Sequence, residues 1–154
     1  MPPHAHRTTS REVHMRRRIW TAAGLLALAV AGSGAHAQSA EDAFGVWLNP
    51  ENQSNVEFYK CGDGLCARIT KVADGQKTDD KNPDPAKRSR PIVGLVIMEG
   101  ARKDGANKWS GTLYNRTDGK SYSGTITVKS RNSVELSGCV AKVFCRTTTW
   151  TRVN

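Results

Sequence analysis

Histidine is missing from most of this chain. His4, His6, His14 and His36 are its four histidines, so none follows residue 36 of 154. Ser–His and Cys–His relays, and metal sites built on imidazole, are therefore excluded from everything downstream. Cysteine is scarce, with only Cys61, Cys66, Cys139 and Cys145. A long hydrophobic run is missing too. The stretch from Ile19 to Ala31 is rich in Ala and Leu, but Gly, Ser and Gln follow quickly, and it is short for a membrane span.

That short run sits in an informative context. Arg16-Arg17-Arg18 precedes it and Ala35-His36-Ala37 follows it. A charged n-region, an apolar h-region and a small-x-small site make a secretory signal peptide over residues 1–37, with a mature chain over 38–154. Met1 to His14 is polar and unlike an n-region, so Met15 is the expected start. Five of the 23 basic and one of the 14 acidic residues lie before Gln38, which takes the net charge from +9 to +5. That charge suits an exported, periplasmic or secreted domain with no membrane span. It does not point to nucleic acid, and Lys87-Arg88-Ser89-Arg90 reads as a solvated loop.

Four cysteines permit three pairings, and strand phase favours one of them. Val56 to Cys61 and Cys66 to Thr70 flank the turn Gly62-Asp63-Gly64. With Cys61 opposite Cys66, Phe58 faces Ile69 and Lys60 faces Ala67. Val56, Phe58, Ala67 and Ile69 then share one face, as the two-residue side-chain period requires. With Cys139 opposite Cys145, Leu136 faces Thr148 and Val134 faces Trp150. The expected disulfides are thus Cys61–Cys66 and Cys139–Cys145. Each closes a short loop and contributes about 2 kcal/mol. A four-cysteine zinc site is the alternative, disfavoured by the spacing and by an oxidising compartment.

The turn Asp118-Gly119 sets a third hairpin, with Thr117 opposite Lys120, Asn115 opposite Tyr122 and Trp109 opposite Val128. The next turn sets Val128 opposite Val134 and Ile126 opposite Leu136. Asp104-Gly105 marks another turn, placing Met98 opposite Gly111 and Val96 opposite Leu113. About eight strands result, near 44–49, 54–61, 65–72, 92–99, 108–115, 120–129, 133–140 and 144–153. The expectation is an all-β, small, eight-stranded antiparallel up-and-down barrel, closed on itself to remove its edges. Its interior takes Val56, Phe58, Ile69, Val96, Met98, Trp109, Leu113, Tyr122, Ile126, Val134, Leu136 and Trp150. Gly111, Gly124 and Gly138 share that phase, where they allow a barrel corner or leave room for a ligand.

Gly45-Val46-Trp47 opens the first strand and Trp150-Thr151-Arg152 closes the last. The pair resembles the lipocalin and calycin signature, which implies that Trp47 and Arg152 are structural and that the Arg packs on the Trp to seal one barrel end. A second resemblance is carried by Tyr59-Lys60-Cys61-Gly62, Leu65-Cys66, the run from Asp79 to Leu95, Trp109-Ser110-Gly111 and Thr149-Trp150-Thr151-Arg152. These are similar to the secreted bacterial family catalogued as domain of unknown function 2147. The resemblance implies export and a lipocalin-like fold, and supplies no reaction.

The segment from Asp79 to Pro91 is long for a hairpin connection, and long loops are often functional. Asp84 is a good N-cap, Pro85 suits the first helical position and Pro91 ends the turn, so one short helix is expected. Asp80, Asn82 and Asp84 alternate like calcium ligands, but Pro85 replaces the usual glycine and no Glu completes the set. The loop reads as a plug or cover on one barrel end. As a lid, Arg88 or Arg90 would meet an anionic head group at the mouth.

Without histidine, and with its cysteines paired, the mature chain is not expected to be an enzyme, and no cofactor is expected. The leading expectation is a binding protein for a small apolar or amphipathic ligand, held among Phe58, Met98, Trp109, Leu113, Tyr122 and Ile126. The alternative is an envelope interaction module with a filled barrel. In that case Leu95 and Ile97, expected to face outward beside inward Val96 and Met98, would meet a homodimer or envelope partner.

Overall fold

The computed structural model describes residues 37–141 and 143–153. The leader read over residues 1–37 lies, up to residue 36, outside the described residues. The rest is all-β. Strands β1 (Gly45–Leu48), β2 (Asn55–Cys61), β3 (Gly64–Lys71), β4 (Val96–Lys103), β5 (Lys108–Asn115), β6 (Lys120–Ser130), β7 (Ser133–Val140) and β8 (Phe144–Arg152) follow in order. Each pairs antiparallel with the next, and β8 pairs with β1, closing the barrel. The barrel is the one that alternating sequence implied. Both disulfides also form as expected, Cys61–Cys66 and Cys139–Cys145.

The registers divide instructively. β7 and β8 pair as expected, with Cys139 opposite Cys145 and Val134 opposite Trp150. β6 and β7 do the same at Ile126 and Leu136. In β2–β3, however, Phe58 meets Ala67 and Cys61 meets Gly64, a shift of two residues that tightens the turn to Gly62-Asp63. β5–β6 also shifts, placing Leu113 opposite Tyr122 and Trp109 opposite Ile126. Asp118-Gly119 is thus part of a longer loop that begins at Arg116. Met98 meets Leu113 rather than Gly111, because the β4–β5 turn is wider than Asp104-Gly105 alone, so that Lys103 already pairs with Trp109.

The largest correction concerns the start of β4. Residues Ile92 to Leu95 form a turn, not a strand: the Leu95 N–H donates to the Ile92 carbonyl at 3.0 Å, and Gly94 takes a φ of 91°. A bulge then sets Ala67 opposite Met98 and Arg68 opposite Val96. Val96 consequently points outward at 40% exposure, while Leu95 and Ile97 are buried. The outward apolar pair on which a dimer or envelope contact would have depended is covered by the protein's own chain.

One end of the barrel is sealed. A 3-10 turn over Ala40–Ala43 lies beneath it, with both alanines fully buried. The Trp47 indole N–H donates to the Ala43 carbonyl at 2.7 Å, and that of Trp109 to the Ala40 carbonyl at 2.6 Å. Buried indoles need such acceptors, and the turn supplies both. Above this floor Phe58 lies between Trp47 and Trp150, with ring centres 6.2 Å and 5.9 Å away. The Arg152 guanidinium stacks over Trp47, as the signature implied.

Candidate functional site

The opposite end is open. A cavity of about 700 Å³ runs into the barrel between the β1–β2, β5–β6 and β7–β8 loops. Its inner wall is Val56, Ile69, Ile97, Leu113, Leu136 and Trp150, with Tyr122 nearer the mouth. The volume lies within the usual range of small-molecule pockets, which are largely apolar with a few placed polar groups. A barrel filled to both ends is therefore not what these residues make.

Of the six expected interior contacts, Leu113 and Tyr122 line this space. Phe58, Met98, Trp109 and Ile126 do not, although all four are buried. The in-phase glycines explain part of this division. A Cβ on Gly124 would lie 2.8 Å from Leu113 Cβ and 2.9 Å from Met98 Cε, so neighbours already fill that position. A Cβ on Gly138 would meet nothing nearer than Tyr122 Cβ at 3.7 Å. Gly138 lines the cavity, and its missing side chain is part of the room.

The mouth is built around Arg116, which the sequence reading passed over. This residue leaves β5 and turns inward, to 4% exposure. Its Nη2 donates to Ser54 Oγ at 3.0 Å and to Asp74 Oδ2 at 2.6 Å, and its Nη1 donates to Gln76 Oε1. One guanidinium thus ties the β1–β2 loop, the β5–β6 loop and the start of the β3–β4 connection. Burial raises the Asp74 pKa, and hydrogen bonds from Arg116 and the Gln76 backbone more than reverse this, leaving it below the ordinary carboxylate range.

The β3–β4 connection is fastened at a second point. Asp79 is fully buried and accepts three hydrogen bonds, from Tyr114 Oη at 2.6 Å, Asn82 Nδ2 at 2.7 Å and Arg90 Nε at 2.9 Å, with Arg90 Nη2 in ion-pair contact at 2.8 Å. Burial pushes its pKa up, but the bonds from Tyr114, Asn82 and Arg90 outweigh burial and hold it below its usual value. The Tyr114 hydroxyl is pushed up by burial first and by the Asp79 carboxylate second. Tyr114 also lines the cavity, so this knot borders the site. The Thr78–Pro91 bridge sets Asp79 beside Arg90, which is the pairing a hairpin reading of the loop base would have found.

The expected lid residues have other partners. Asp80 is exposed, accepting from Gln76 Nε2 at 2.9 Å, and Asp84 caps the short 3-10 turn Pro85–Lys87. Arg88 Nε donates to the Asn82 carbonyl at 2.8 Å, and Arg90 is committed to Asp79. Asp80, Asn82 and Asp84 do not converge, and among the described residues no three metal-ligating acidic, Cys or His side chains cluster. None of Asp80, Asn82, Asp84, Arg88 or Arg90 lines the cavity. The cations that do are Arg116 and Arg146.

The sequence pattern of the bacterial family described as "uncharacterized protein conserved in bacteria (DUF2147)" matches residues 45–152. The chain belongs to this family. Among solved structures it is similar to a protein of the human pathogen Helicobacter pylori described as belonging to the lipocalin family. The two share 27% identity and a TM-score of 0.65, over 73% of this chain and 83% of that one. No curated protein matches. The barrel is therefore lipocalin-like, and two disulfides in a bacterial family are consistent with export.

Proposed function

We propose that this is an exported, periplasmic or secreted, non-enzymatic binding protein for one small apolar or amphipathic molecule. The observation that carries the reading is the cavity of about 700 Å³, open at one end of a barrel whose other end is sealed by the Ala40–Ala43 turn. Apolar walls would hold a chain or ring by removing it from water, and the polar rim would orient its head. No histidine follows residue 36 and all four cysteines are paired, which supports a carrier over a catalyst. Val140, Val143 and Phe144 are more than half exposed at the β7–β8 tip. They also line the mouth, so the same reading accounts for them.

Native mass spectrometry of protein purified from its own periplasm tests this. The expected spectrum shows a non-covalent adduct beyond the disulfide-bonded chain, lost on denaturation. A bare mass from every growth condition tried would count against a resident ligand.

A further inference from the structure

We infer that the cavity takes a compact, ring-shaped molecule rather than a straight-chain one, and that Gly138 sets the breadth that admits it. This rests on the binding-protein reading above. On β2, β3 and β7 the lining residues are Val56, Ile69 and Leu136. One inward position nearer the sealed end come Phe58, Ala67 and Val134, which are buried and do not line the space. The cavity is therefore blind. Its tallest wall is β8, which lines it from Phe144 down to Trp150. At about 3.3 Å per residue and a strand tilt of about 40°, that wall is about 15 Å deep. A volume of about 700 Å³ spread over that depth is about 7 Å across on average. A straight hydrocarbon chain fills only one carbon contact distance, about 4–4.5 Å.

The walls are held at this width. The Tyr114 hydroxyl donates to Asp79 at 2.6 Å and the Tyr122 hydroxyl donates to Asp118, which anchors both lining rings. The Cys139–Cys145 disulfide staples β7 to β8. A straight chain would touch one side and lose dispersion contacts on the other. A chain folded back on itself would fill the space only by freezing its own rotations. A rigid ring system has no such rotations to lose, and the aromatic walls offer it broad, stiff contact. Gly138 faces this breadth. A Cβ there would stand 3.7 Å from Tyr122 Cβ and 4.0 Å from Leu113 Cδ2, so a longer side chain would take up the width.

The test compares adamantanol with decanol, which share a carbon number and a hydroxyl group and differ in shape. Trp150 lies in the cavity wall, so its fluorescence reports occupancy. Decanol has the larger apolar surface, and area alone would make it the tighter ligand. Adamantanol is nonetheless expected to bind at least as tightly. Decanol as the tighter ligand overturns the inference and leaves the binding reading standing. Failure of both probes overturns the binding reading itself, and this inference with it. Gly138→Val is expected to weaken adamantanol by roughly tenfold, the scale of overfilling by added methyl groups, and decanol by severalfold less. Equal weakening of the two probes, or none, also overturns the inference. The comparison on the parent protein decides whether or not that variant folds.

Discussion

The guanidinium carbon of Arg152 sits 4.2 Å from the centre of the Trp47 ring, directly opposite it where β8 closes onto β1. The stack joins the first and last strands of the barrel, and the guanidinium also donates three hydrogen bonds. Nη1 donates to the Phe44 carbonyl at 2.9 Å, Nη2 to the Asp42 backbone carbonyl at 2.7 Å and Nε to the Arg131 backbone carbonyl at 2.7 Å. Gly45 is required beside it: at a φ of 136° a Cβ would fall 2.2 Å from Arg152 Nη1. Arg152→Ala is therefore expected to destabilise by about 2–3 kcal/mol, through three lost bonds and one stack, with solvent at the rim moderating the loss. Arg152→Lys restores the charge but not the planar fork, and is expected to recover less than half. Urea unfolding of both variants measures this. Equal stability of Arg152→Ala and the parent would mean that β1–β8 pairing holds without the stack.

Acid should loosen the mouth through Asp79. Its pKa in the folded protein lies below its unfolded value, so its contribution is complete above the unfolded value, near about pH 4, and is lost as pH falls through the folded one. Asp74, held down by Arg116, acts with the same sign. Asp79→Asn is expected to cost about 2–4 kcal/mol at neutral pH, since it strands Arg90 and weakens two further bonds. The variant should then lose less on acidification, so that the two stability curves converge below about pH 4. Curves that stay parallel from neutral to acid pH would exclude Asp79 as a source of the acid loss.

How far these features were legible depends on what a residue pattern can distinguish. A one-residue slip moves every side chain to the wrong face, so the alternation of Val56, Phe58, Ala67 and Ile69 settled which face is inside. A two-residue slip preserves the faces, and the pattern is blind to it. Phe58 accordingly met Ala67 rather than Ile69, and Leu113 met Tyr122 rather than Gly124. What decided the second case is Arg116, a charged residue drawn out of the strand to bind Ser54, Asp74 and Gln76. Those partners are distant in sequence, so local turn chemistry at Asp118-Gly119 could not reveal it. The phase at Leu95, Val96 and Ile97 was inverted for a related reason. Gly94 turns the chain and a bulge resets it, and neither leaves a mark in hydrophobic alternation.

Gly138 and Gly124 make a paired test of the cavity. Both lie on inward positions, but only Gly138 has room for a side chain. Gly138→Val is expected to leave stability unchanged or slightly raised, while lowering ligand occupancy in native mass spectrometry. Gly124→Val must push into Leu113 and Met98, and is expected to cost about 1–3 kcal/mol from overpacking. Thermal unfolding of the two variants separates them. Equal destabilisation at both positions would mean that the space beside Gly138 closes up in solution.

The two disulfides should differ in how readily they are reduced, because access to an attacking thiolate differs. Cys66 is buried at 3% exposure, and the Gly100 backbone N–H approaches its sulfur at 3.4 Å. Cys145 is exposed at the β7–β8 tip, between Phe144 and Arg146 at the cavity mouth. Limiting reductant followed by alkylation and peptide mass spectrometry is expected to label Cys139 and Cys145 first. Each staple closes a short loop, so its removal by paired serine substitution is expected to cost about 2 kcal/mol. The consequences should nonetheless diverge. Loss of Cys139–Cys145 frees the tip that carries Val143 and Phe144, and is expected to weaken ligand retention beyond its effect on stability. Loss of Cys61–Cys66, at the β2–β3 turn of the sealed end, is expected to change stability alone. Identical retention in the two paired-serine variants, at matched stability, would show that the tip's rigidity plays no part in holding the ligand.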